Sequence, residues 1–115
     1  MSTAERALRA FKAFNDSPQG DPKALRAHCR EAPVMLQQAG AAQAIAFWRR
    51  DQSGKEFTNL LARAAHRGGA DVPNGGELLE QLVRAEAPAY RRQSRNLVDA
   101  AMWLRKIAQV KPAGD

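Results

Sequence analysis

"AYRRQSRNLVDAAMWLRKIAQVK", residues 89–111, decides how the whole chain is read. Leu97, Val98, Ala101, Leu104, Ile107 and Ala108 recur at three- and four-residue spacing, the period of one buried helix face. Pro88 suits the first turn, where no amide is needed, and Lys111 with Pro112 ends the helix. The stretch also carries six basic side chains, Arg91, Arg92, Arg95, Arg105, Lys106 and Lys111, against one acid, Asp99. Three of the arginines crowd the first turns, where the helix macrodipole disfavours cations. Stability alone favours acids there, so the arginines point to a partner. Guanidinium groups grip phosphate through forked hydrogen bonds that carry affinity without sequence information. The plainer reading is a solvated charged face, with ion pairs to Asp99 or Glu86.

Working outward, the rest of the chain also reads as helices punctuated by Gly and Pro. β-Branched residues are few and alanines many, so no strand is expected. A first helix over about residues 3–14 starts with the capping-box spacing of Ser2 and Glu5. Ala4, Ala7, Leu8, Phe11 and Phe14 are its expected apolar face. Asp21 and Pro22 open a second helix, with Leu25, Cys29, Ala32 and Leu36 inward. Pro33 falls inside this pattern and must kink the helix or restart it. Gly40 breaks the chain before "AAQAIAFWRR", whose stripe is Ala41, Ala44, Ile45 and Trp48 and whose end is Arg49 and Arg50. Ser53 and Glu56 offer a second capping box before Phe57, Leu60, Leu61, Ala64 and Ala65. "GGADVPNGG" is a loop. Leu78, Leu79, Leu82 and Val83 define a short fifth helix. The expected fold is all-α, a compact bundle of five to six helices in one domain. Its longest helix is C-terminal, and residues 112–115 form a tail.

The chain has 115 residues, enough for one modest core, and 44% of them are hydrophobic. Eighteen Lys and Arg against twelve Asp and Glu give a formal charge of +6, a balance that suits a polyanionic partner. A single cysteine rules out an internal disulfide and fits a reducing cytoplasm. No apolar run approaches the roughly 20 residues of a membrane span. His28 and Cys29 are adjacent, but neighbours on a helix point about 100° apart, so the pair does not make an activated thiol. Cys29 belongs to the apolar stripe and reads as a buried thiol. His66 lies near a helix end and reads as a surface residue. Two histidines without paired spacing hold no metal, and no phosphate-cradling glycine motif is present. Glu77 and Glu80 share a face without a catalytic partner. Trp48, Trp103 and the ring of Tyr90 suit helix packing better than stacking on bases, with the Tyr90 hydroxyl reaching solvent.

Three segments together resemble a known family. "KALRAHCREAPVMLQQAGAAQAIAFWRR" has its helix–Pro–Gly–small-residue helix rhythm, and "GELLEQLVR" stands where it has a short Leu-rich helix. "YRRQSRNLVDAAMWLRKIAQ" is similar to its closing signature. The family is the small helical subunit of the type III-B CRISPR effector, the fifth subunit of the Cmr RNA-silencing complex. The resemblance covers about residues 23–110. Tyr90, Arg91, Ser94, Trp103, Leu104, Arg105, Lys106 and Ala108 carry the signature, while Asn96, Met102 and Ile107 depart from the common pattern. It implies a cytoplasmic, prokaryotic, non-catalytic subunit without cofactor, metal or small-molecule substrate. Copies of it would stack in a filament beside other effector subunits and meet the guide–target RNA backbone. The candidate contacts are Arg91, Arg92, Arg95, Arg105 and Lys106, with Arg49 and Arg50 as a second patch. The competing reading is a basic helical adaptor for proteins, with no direct nucleic-acid binding.

Overall fold

A computed structural model describes residues 2–17, 20–66 and 71–110. These residues form six helices and no strand: α1 (Thr3–Asp16), α2 (Pro22–Ala39), α3 (Ala41–Trp48), α4 (Gln52–Ala65), α5 (Gly75–Arg84) and α6 (Ala87–Val110). The all-α bundle and the long last helix are as expected. The 112–115 tail lies outside the described residues. No described helix is long and apolar enough to cross a membrane.

α4 is the hub and packs against all five other helices. Its eight buried residues include Phe57, Leu60 and Leu61, each fully enclosed, interspersed with Ala62, Ala64 and Ala65 that let neighbours approach. α6 lies across α1, α2 and α4. Its buried stripe is Leu97, Ala100, Ala101, Leu104, Ile107 and Ala108. Ala100 thus takes the place expected for Val98, which is only partly buried. Leu97 and Leu104 are almost wholly enclosed, and each such side chain contributes about 1.5–3 kcal/mol. With 24 residues, α6 is about 36 Å long against a longest molecular extent of 40 Å. Its outer face therefore runs nearly the length of the molecule.

Three local expectations are corrected, and of the two readings of Pro33 the restart is excluded. α1 turns Ala10, Ala13 and Phe14 inward and leaves Leu8 68% exposed and Phe11 exposed, because its small residues permit the closer seat on α4 and α6. α2 passes Pro33 as one helix without restarting. α4 is capped by Asp51 rather than Ser53: Asp51 Oδ1 accepts from Gly54 N at 2.9 Å and from Ser53 Oγ at 3.1 Å. The carboxylate is held below its usual pKa, first by the Gly54 amide and then by the Ser53 hydroxyl. Gly75 and Gly76 belong to the first turn of α5 rather than to the loop, because Asn74 and Glu77 form a reciprocal capping box. Val83 on that helix is 70% exposed.

The α2–α3 corner uses Gly40, the one described residue with positive φ, at +88°. It ends α2 and begins α3, and it has no side chain with which to cap the new helix. The Tyr90 hydroxyl of α6 does so instead, accepting from Ala42 N at 3.1 Å. That hydroxyl was expected in solvent. At the other end of α6, Arg26 of α2 donates to the Ala108 carbonyl, one of the acceptors a helix terminus leaves open.

Candidate nucleic-acid interface

At about 100° per residue, Arg91, Arg92, Arg95, Arg105 and Lys106 fall within an arc of roughly 140° on α6. That arc is centred opposite the buried stripe, and all five side chains are exposed. Arg91 to Lys106 spans about 22 Å of helix axis. The face has two basic clusters, with Met102 (48% exposed) and the partly buried Val98 between them. Arg95 and Arg105 are about 15 Å apart along the axis, beyond the roughly 8 Å screening length at physiological salt. Each cluster therefore attracts an anion largely on its own. Among the described residues, none of the five makes an ion pair. Lys106 instead lies over the Trp103 ring, 4.7 Å from its centroid. α6 has no acid in its first turn, but Glu86 stands just before it, and Arg91 and Arg92 lie in the second turn, where the macrodipole has largely faded.

The second patch divides. The Arg49 side chain turns inward and donates to Thr58 Oγ1 at 3.0 Å, close against Gly75 and Gly76 of α5. It ties the end of α3 to α4 and α5. Arg50 stays exposed, its guanidinium 3.9 Å from the Phe47 ring centroid. Arg84 is paired with Glu80 at 2.8 Å. The structure thus brings the five α6 residues onto one face, and it does not join Arg49 to them.

A sequence profile of the CRISPR-associated protein family Cas_Cmr5 matches residues 1–111. The chain belongs to this family. It is 32% identical over 106 residues to the CRISPR system Cmr subunit Cmr5 of Thermus thermophilus, covering 90% of this chain and 89% of that one. Its fold is similar to the crystal structure of a CRISPR-associated Cmr5 family protein, also from Thermus thermophilus. The TM-score is 0.81 at 28% identity, over 95% of this chain and 96% of the other.

The residues that carry the Cas_Cmr5 resemblance divide by depth. Leu104 and Ala108 are core, Trp103 is partly buried, and Tyr90 caps α3. Arg91, Arg105 and Lys106 face outward. Trp48 is buried with its ring edge-on to Phe57 at 5.0 Å, so it offers no face to a base. Cys29 is fully buried, and burial pushes its thiol up to about 12, against a smaller opposing pull from Arg26. A thiol so raised stays protonated at neutral pH. His28 stacks on Phe57 at 5.6 Å and places Nε2 3.2 Å from Ser53 Oγ, which ties α2 to the start of α4. Among the described residues, no group of three or more His, Cys, Asp and Glu is placed to hold a metal ion.

Arg6 was not singled out from the sequence. It reaches from α1 to Asp99 of α6, Nη1 to Oδ2 at 3.2 Å, beside Arg92 and Arg95. Nothing in its local sequence marks it, because the docking of α1 on α6 is what brings it there.

Proposed function

We propose that this protein is a non-catalytic structural subunit of a type III-B CRISPR (Cmr) ribonucleoprotein acting in antiviral defence in a prokaryotic cytoplasm. Copies stack beside the other subunits, and the outer face of α6 meets the backbone of the guide–target RNA. Arg91, Arg92, Arg95, Arg105 and Lys106 supply the phosphate contacts, with Arg50 as an outlying addition and Arg49 positioned behind it. The observation that carries the reading is the row of five exposed basic residues on one face of α6, none of them in an ion pair among the described residues. Membership of Cas_Cmr5 supports the assembly part of the reading. A non-specific phosphate grip suits a subunit that serves any guide sequence.

The test is photo-crosslinking from position 102, midway along the basic face. A benzophenone amino acid replaces Met102, and the protein is assembled with the other Cmr subunits, guide and target. Crosslinks to RNA are expected. Crosslinks to protein subunits alone would overturn the RNA contact and favour the adaptor reading.

A further inference from the structure

The gap between α1 and α6 holds a concavity of about 340 Å³ walled by Arg6, Arg92, Arg95, Asn96 and Asp99. On α6, Arg92, Arg95, Asn96 and Asp99 fall within an arc of about 100°, so they form one stripe. Arg6 faces that stripe from the neighbouring helix. Three arginines therefore line one concavity with a single carboxylate, and of the three only Arg6 pairs with it. Arg6 uses Nη1 on Asp99, and its Nε is buried without a partner among the described residues. Arg6 and Asp99 are 33% and 36% exposed, so their ion pair adds only about 0–1 kcal/mol. Stability does not account for the arrangement: one arginine would satisfy Asp99, and two more beside it repel one another.

We propose that this concavity is a seat for one phosphate group of a nucleic-acid strand, with Arg6, Arg92 and Arg95 as its ligands. Asp99 is a positioning residue. It holds the Arg6 guanidinium across the gap between the helices while lowering the positive potential it helps to arrange. The surplus of two positive charges more than balances the single negative charge of a backbone phosphodiester, and guanidinium forks from two helices fix it more narrowly than a single row of arginines. The inference rests on the reading that α6 meets a nucleic-acid backbone, and it adds α1 to that surface.

Binding of a fluorescent RNA duplex by the purified full chain across a salt series tests it, using Arg6→Ala, Arg6→Lys, Asp99→Asn and, as a control on the wider face, Arg105→Ala. Arg6→Ala should weaken binding about fivefold at low salt and lower the number of released counterions by about one. Arg6→Lys, which keeps the charge and loses the fork, should fall between. Asp99→Asn keeps an acceptor for Arg6 and removes the negative charge, so it should tighten binding about twofold to fivefold. A merely structural Asp99 predicts no gain. Melting curves exclude loss of fold as the cause. If Arg105→Ala weakens binding while both Arg6 variants match the wild type, the seat is overturned and the wider face stands. If the wild type itself does not bind at low salt, both fall.

Discussion

Arg26, Arg49 and Arg63 are half-buried, and each donates to a group on another segment: the Ala108 carbonyl, Thr58 Oγ1 and Ser17 Oγ. Arg91, Arg92, Arg95 and Arg105 on α6 are exposed and make no ion pair among the described residues. The residue type is the same, but the first group braces the bundle and the second is left for a partner. The net charge of +6 therefore overstates, by the braces, what faces outward. Arginine suits both roles because its stem packs against apolar surface while its planar head binds in a fixed geometry.

The sharpest way to break the bracing group is at its tightest point. A Cβ on Gly75 would lie 2.2 Å from Thr58 Oγ1 and 2.6 Å from Arg49 Nη1. Gly75→Ala should displace Arg49 and cost about 3 kcal/mol in urea unfolding. Arg49→Ala leaves the α3–α4–α5 corner intact but removes its brace, and should cost about 1–2 kcal/mol. Neither substitution should alter RNA binding by the folded protein. A large loss of binding in Arg49→Ala without loss of stability would erase the distinction between the two groups.

Tyr90 tests whether the basic helix also braces. Tyr90→Phe leaves the Ala42 amide without its cap and should lower stability by about 1 kcal/mol. A pH series probes Arg26 beside Cys29. Above about pH 9.0 the unfolded chain loses a thiol proton that the folded chain keeps until about 12. Stability should therefore fall as pH rises through that window, and more steeply in the wild type than in Cys29→Ala. Equal slopes would mean that Arg26 cancels the effect of burial.

Much of this was legible in the sequence, and what was missed has a common cause. Proline, glycine and apolar spacing located all six helices, and the α6 stripe was read almost as it packs. The rotation of α1 was not legible, since Leu8 and Phe11 outweigh Ala10 and Ala13 in hydrophobicity while the alanines permit the closer approach. Ser53 matched a capping box, but the Asp51 carboxylate two residues earlier took the free amide. The inward turn of Arg49, the cap from Tyr90 and the meeting of Arg6 with Asp99 all depend on how helices dock. No local pattern encodes that. The basic face was legible because a single helix presents it.

The smallest expected effect is on stability in the variant Arg91→Ala/Arg92→Ala/Arg95→Ala. Relieving like-charge repulsion at three- and four-residue spacing, in favour of a better helix former, should raise stability by a few tenths of a kcal/mol per residue at low salt. A loss instead would place these arginines with the braces.

The same triple variant carries the most direct test of the central claim, that the α6 arginines serve a phosphate backbone. Binding of the wild type and the variant to single-stranded RNA and to an RNA duplex would be followed across a salt series. The account predicts sequence-tolerant, salt-sensitive binding by the wild type, with the variant weakened about 100-fold at low salt and a shallower salt dependence. Equal affinities and equal salt slopes for the two proteins would contradict it.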